Sequence, residues 1–289
     1  MAILKIDPTL DRTSNIKNIY KENKYKNIKT ADNYYDAFKN FWLVEKHIAK
    51  YGLTDDEHYA NTLPAYEKAI SLNYSILIPV QMNADGTIIC FGEKCLGKAT
   101  SESGYVCNLT DEKLKNLNVH GEKIPTLAEA LDYIANRTPV IINIINDTFI
   151  GKIEDKVFDI LNTYSQKYDC ANFVAIMSSN PYTLAYAYNT VPQYTRILQE
   201  EKYQRDKYTF GIKTKLLRKM KLYKITYADF IATPIDLLPS SRALSKKPVG
   251  IIALDVTSQD EYTKKIKHCD NIVFSGFIPT VWGWYDKNW

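Results

Sequence analysis

Few side chains in this sequence can move a proton near neutral pH. Its four histidines are His47, His58, His120 and His268, scattered along the chain. Imidazole titrates closest to physiological pH, so each is a candidate acid or base, provided that a second group orients the ring. The five cysteines, Cys90, Cys95, Cys107, Cys170 and Cys269, are odd in number and contain no C-x-x-C pair, which argues against a disulfide framework or a zinc knuckle. The stretch ILIPVQMNADGTIICFGE, residues 76–93, reads as strand, tight turn and strand around Asp85-Gly86. Strand alternation turns Leu77, Pro79 and Gln81 to one side, so that face presents two apolar groups and an amide. Pro79 also removes a ladder donor, and a bulge or bend is expected there.

The elements that must hold these groups follow from composition and periodicity. A chain of 289 residues with 45% apolar content suits one large α/β domain or two ordinary ones. No apolar run reaches the length of a membrane span; the run Val140 to Ile145 is interrupted by Asn143 and suits a buried strand. The opening MAILKIDPTLDRTSN lacks a basic segment followed by an apolar one, so a soluble, cytoplasmic protein is expected. A net charge of +4 is too small to imply specific nucleic-acid binding. One local excess stands out in residues 207–224, where Lys207, Lys213, Lys215, Arg218, Lys219, Lys221 and Lys224 occur without a carboxylate. Leu216, Leu217, Met220 and Tyr223 fall at helical spacing among them, which gives an amphipathic helix with a solvated basic face, or one that meets an anionic polymer or lipid surface.

Residues 1–42, rich in Lys, Asn and Tyr, read as an N-terminal appendage. Strands are expected near 43–51, 75–80, 140–145, 173–177, 195–198, 229–233, 250–256 and 271–276, most followed by an amphipathic helix. Thr126 with Glu129, and Ser258 with Glu261, have capping-box spacing. Ile153, Val157, Ile160, Leu161 and Tyr164 form one helical stripe. This alternation predicts an α/β fold, a (β/α)8 TIM barrel over 43–280 with a β-hairpin excursion after the second strand. A doubly wound open sheet is the alternative. The tail 281–289, with Trp282, Trp284, Tyr285 and Trp289, is expected to lock onto the barrel or to offer a sugar platform or oligomer contact.

Several segments together resemble the glycerophosphodiester phosphodiesterases, a phospholipase C-like barrel family. IAKYG at 48–52 and YANTLPAYEKA at 59–69 match the family's Ala-His-Arg-Gly and Pro-Glu-Asn-Thr patterns, and residues 76–93 match its second, acid-bearing strand. CLGKATSESGYVCNLTDEKLKNLN and IPTLAEAL continue the likeness to Leu131, while FVAIMSSNP, GIIALDVTSQDEY and CDNIVFSGFIP carry it in order towards residue 279. The resemblance implies a calcium or magnesium ion held by carboxylates at strand ends and two histidines acting as acid and base. In this sequence the first histidine position is Lys50, the following arginine is Tyr51, and the Glu of Glu-Asn-Thr is Ala60. The paired metal acids fall at Leu77 and Pro79, the second histidine at Gly92 beside Glu93, and the third acid at Asn143 or Ile145.

A barrel with this substitution pattern is expected to lack a metal or cofactor and to serve as a non-catalytic binding or scaffolding protein. Its ligand would be a phosphorylated glycerol or sugar unit, or a protein partner, a second copy included. Lys50 and Lys98 would clamp the anion, with Asn61, Thr62, Gln81 and Asn143 lining the same mouth and Glu93 able to pair with either lysine. The alternatives are a phosphoric diester hydrolase or lyase of changed site, using Lys50, His58 or Glu93, and a structural block within a larger assembly. Strand alternation turns His47 away from Lys50, His120 sits in the loop before the KIPTL segment, and His268 ends a helix far from the mouth.

Overall fold

Both faces of a parallel sheet are covered, so its strands read as nearly continuous apolar runs. In the computed structural model, which describes residues 42–146, 150–200, 223–238 and 250–280, these runs form a closed barrel. The strands are β1 (Ile48–Lys50), β2 (Ser75–Met82), β3 (Ile88–Cys90), β4 (Asn118–Val119), β5 (Glu122–Lys123), β6 (Val140–Ile144), β7 (Val174–Ser178), β8 (Thr195–Gln199), β9 (Phe230–Pro234), β10 (Gly250–Val256) and β11 (Asn271–Phe274). β1, β2 and β6 to β11 pair in parallel, and β1 joins both β11 and β2, which closes the ring and sets aside the open sheet. Strand 43–51 needs correction: Trp42–Glu45 is a short helix and only Ile48–Lys50 pair as strand. A short apolar run fits either element, and here Trp42 and Leu43 are used to fill the barrel's N-terminal end. The other expected strands lie within a residue or two of the observed ones.

Two apolar layers follow from strand alternation. Ile48, Leu77, Ile141, Met177, Ile197 and Ile252 fill the interior. Their neighbours Ile76, Ile78, Val80, Ile142 and Ile176 face outward against the helices Leu63–Ser71, Leu127–Ile134 and Lys152–Ser165. Of the stripe, Ile153, Val157, Leu161 and Tyr164 are buried as the spacing predicts, and Ile160 is half-buried against the same core. Thr126 and Glu129 make the reciprocal capping box. At the second site Ser258 caps Glu261 N, but the Glu261 carboxylate accepts from Thr257 rather than from Ser258.

β2 turns back through Asp85-Gly86 into antiparallel β3. Asn83 Oδ1 accepts from Asp85 N and Thr87 N, and Gly86 has φ +85°, where a Cβ would be strained. The excursion has a core of its own, including Ile89, Phe91, Leu96, Val106 and Leu109. No bulge occurs at Pro79. Its register with β6 is unbroken, and its carbonyl accepts from Phe91 N, so its missing N–H faces the edge where β1 has ended and β3 begins.

Residues 1–41 of the appendage, the aromatic tail with Trp282, Trp284, Tyr285 and Trp289, and the basic stretch up to residue 222 lie outside the described residues, as does the side chain of Lys98. Among the described residues no helix is long and apolar enough to cross a membrane.

On the barrel's N-terminal side, Asn271 donates to the Leu43 and Lys46 carbonyls, which fixes its Oδ1 as an acceptor. His47 Nδ1 therefore donates to Asn271 Oδ1 at 2.8 Å, and Nε2 accepts from the Tyr262 hydroxyl at 3.2 Å. Burial lowers the His47 pKa, with the Asn271 hydrogen bond partly opposing. Because the folded state favours the neutral ring, its stabilisation is complete above the unfolded pKa of about 6.5 and is lost as the pH falls below it. Between about pH 7.5 and pH 5.5 the wild type should therefore lose more melting temperature than His47→Gln, as measured by calorimetry.

Candidate functional site

The carboxyl ends of the strands form the mouth, where side chains from several strands converge. Lys50, the last residue of β1, reaches Asp255 of β10, with Nζ to Oδ1 at 2.7 Å. Its ammonium also lies 5.2 Å from the centre of the Tyr51 ring. The pair is part-exposed, Lys50 by 30% and Asp255 by 43% of the side chain. Desolvation draws the Lys50 pKa down, but the Asp255 hydrogen bond and the fields of Tyr51, Asp255 and Glu93 outweigh it, so the net shift is upward. Burial raises the Tyr51 pKa, Glu93 and Asp255 add to the rise, and Lys50 opposes it. At neutral pH the mouth thus holds a protonated amine and a neutral phenol, neither poised to exchange a proton.

Backbone strain concentrates here. Tyr51, Asn61 and Asp255 adopt left-handed conformations, with φ of 63°, 63° and 60°. Gly52 follows at φ +89°, and a Cβ there would lie 2.8 Å from the backbone of Ala65, so the chain can leave β1 in this direction only through glycine. Asn61 N donates to the Tyr51 carbonyl at 2.8 Å, and its buried Oδ1 has no partner among the described residues. A Cβ on Gly92 would meet the Tyr51 ring at 2.8 Å. The Tyr51 ring therefore fills the space that any larger residue at 92 would need.

The sequence-predicted residues separate into two groups. Lys50 and Glu93 come together, since the Glu93 carboxylate raises the pKa values of both Lys50 and Tyr51. Asn143 is registered between Pro79 and Met177 and makes no side-chain hydrogen bond among the described residues. Gln81 and Thr62 serve the scaffold. Gln81 Nε2 donates to the Phe91 and Glu93 carbonyls at 2.8 Å each, which pins the segment carrying Glu93. Thr62 Oγ1 donates to the Tyr59 carbonyl and caps the helix Leu63–Ser71. His58 is held by Asp55, with Nδ1 to Oδ1 at 2.7 Å, and the other Asp55 oxygen pairs with Lys68. His120 stacks on Tyr59, ring centres 4.3 Å apart. The loop after β6 is fastened by the buried Glu154, which accepts from Asn146 Nδ2 at 2.7 Å, Gly151 N at 3.0 Å and the Thr183 hydroxyl.

Sequence reasoning missed Asp255, Asp55 and the part played by Tyr51. A carboxylate inside the apolar run GIIALDV marks Asp255, and an aspartate three residues before His58 marks the local orienter. Tyr51 carried no signal until its ring was seen against Gly92.

A divalent ion wants several anionic oxygens around one point. Among the described residues no three His, Cys, Asp or Glu side chains gather in that way. Leu77, Pro79 and Ala60 offer no donors, Asn143 offers a neutral amide, and Asp255 is engaged by an ammonium. The described residues do not fit the metal that the resemblance implies.

Residues 51–236 match the glycerophosphoryl diester phosphodiesterase family, and the chain belongs to it. Over 114 residues it is 26% identical to YhdW of Bacillus subtilis (strain 168), a protein provisionally named a glycerophosphodiester phosphodiesterase. That match covers 36% of this chain and 47% of the relative, so the chain spans about half the relative's length. Its barrel is similar to an Oleispira antarctica phosphodiesterase solved with the product sn-glycerol-3-phosphate, with TM-score 0.63, 17% identity and coverage of 80% of this chain and 92% of that one. The Thermotoga maritima glycerophosphodiester phosphodiesterase gives TM-score 0.58 at 16% identity, covering 79% and 94%. At these identities the structural likenesses establish the fold.

Overpacking against Tyr51 makes a direct test. Gly92→His should destabilise the protein by about 1–3 kcal/mol. Tyr51→Ala in the same background should recover part of that loss, seen as a coupling energy in urea unfolding.

Proposed function

We propose that this family member is a binding barrel rather than a hydrolase, and that its mouth takes a phosphorylated glycerol or sugar unit. The observation that carries this reading is the Lys50–Asp255 ion pair at the mouth, at 2.7 Å. Cleaving a phosphodiester needs stabilisation of charge on the phosphoryl oxygens and a proton for the leaving alkoxide. An amine with a raised pKa does not accept a proton at neutral pH, and a phenol with a raised pKa donates one poorly. The Lys50 ammonium can still hold a phosphate as a point charge. The ligand class draws on the Oleispira antarctica neighbour, whose complex contains sn-glycerol-3-phosphate.

A second reading has one observation in its favour. Asp55 orients His58 at 2.7 Å, as a carboxylate orients a catalytic imidazole, on the loop that follows β1. That reading is a phosphoric diester hydrolase or lyase with a changed site. The same Asp55 oxygen also accepts from Glu57 N and His58 N, which ties the arrangement to local loop structure.

The two readings part in one assay. With a glycerophosphodiester and added calcium or magnesium, the protein should release no glycerol 3-phosphate above the blank, while sn-glycerol 3-phosphate alone should raise the melting temperature. Product release that disappears in Lys50→Ala or His58→Ala would replace the binding reading with the enzymatic one.

A further inference from the structure

The charges at the mouth do not suit a free phosphate site. Lys50 is one cation, and Asp255 and Glu93 are two carboxylates whose fields both reach it. An approaching phosphate ester therefore meets an ammonium that already has an anion.

The way Asp255 arrives there is informative. Along β10, Ala253 faces the outer layer and Leu254 the interior. In a regular strand Asp255 would face outward, beneath the helices, and Val256 inward. Val256 instead packs in the outer layer, and the register with β11 shifts between Ala253 and Val256. Asp255 is the extra residue of this bulge, in a left-handed conformation with φ 60°. A bulge bends its strand and re-aims a side chain, and a non-glycine residue held in such backbone is characteristic of ligand clamps and switches. The strain delivers a carboxylate to Lys50, and a regular strand would have kept it away.

Resting on the ligand class proposed above, we infer that Asp255 is a built-in competitor for the ligand's anion: it occupies the Lys50 ammonium in the free protein and yields it when a phosphate ester binds. The ammonium carries three N–H donors and pivots on a flexible stem, so it can be handed from carboxylate to phosphate without moving the strand. Binding then needs no divalent ion, and its affinity is set by the competition between two anions for one lysine.

The test measures Kd by calorimetry, in buffer with EDTA, for two probes: sn-glycerol 3-phosphate and inorganic phosphate. Asp255→Asn keeps the size and tolerates left-handed backbone, and its circular dichroism and melting temperature report whether the fold is retained. It should bind sn-glycerol 3-phosphate about five- to tenfold more tightly than the wild type, the effect of about 1 kcal/mol of released competition. Adding Lys50→Met should remove that gain. Asp56→Asn, which removes an exposed charge from the loop after β1, should change Kd by less than about twofold, since screened surface charges act weakly. The two probes separate recognition of the glycerol from recognition of phosphate alone, and the Asp255→Asn gain is expected for both. Equal or weaker binding by Asp255→Asn, or an equal gain in Asp56→Asn, would overturn the inference. Failure of every variant to bind either probe would overturn it together with the ligand class. A gain in Asp255→Asn, together with product release in the separate glycerophosphodiester assay, would support the competitor and sink only the non-hydrolytic reading.

Discussion

β1 joins the two ends of the sheet, Ile48 and Ala49 pairing with β11 on one side and Ile48, Ala49 and Lys50 with β2 on the other, and the barrel exists as a closed object through this short link. Its brevity governs what happens above it. Because β1 stops at Lys50, the edge of β2 beyond Leu77 is free to pair with β3, and the proline at 79 falls where its missing donor costs no ladder bond. The chain then turns through left-handed Tyr51 and Gly52, which lays the Tyr51 ring against Gly92 and leaves the Lys50 amine at the mouth. Strand length, turn and site geometry are thus one constraint seen at three levels.

Electrostatics at the mouth follow from the same arrangement. Burial alone would favour a neutral lysine, yet the Asp255 hydrogen bond and the fields of Tyr51, Asp255 and Glu93 reverse that preference. The two carboxylates are placed by different devices. A strained bulge brings Asp255. Gln81 holds the Phe91 and Glu93 carbonyls and so fixes the segment that presents Glu93. Two sites of local cost, a left-handed aspartate and a buried glutamine amide spent on backbone, maintain a single cation.

Membership of the glycerophosphoryl diester phosphodiesterase family describes the scaffold and leaves the chemistry of this mouth to its own side chains. The family's barrel persists at low identity because alternating inner and outer apolar layers tolerate substitution of similar volume. A metal site has no such tolerance, since it depends on anionic oxygens at fixed points. Tyr51 and Gly92 illustrate the coupling between positions: the ring occupies the volume above the glycine, so a larger residue at 92 requires the ring to move or shrink.

Much of this was legible in the linear chain. Periodicity placed the parallel strands from β2 onward, the Asp85-Gly86 turn and the Thr126–Glu129 cap, though not the short β4–β5 pair, because each depends on residues close in sequence whose local preferences agree with the fold. The likeness to the family supplied Lys50 and Glu93 as mouth residues and the positions that lack acids. What local pattern could not reveal was the partner of Lys50, which lies 205 residues away. Alternation alone would have turned Asp255 to the outer face, and only the bulge reverses it; the start of β1 was misread because Trp42 and Leu43 serve equally well in a strand or a helix until the barrel end they fill is present. Pairing across the closed ring and departures from regular strand geometry are set by three-dimensional packing, and no window of neighbouring residues contains them.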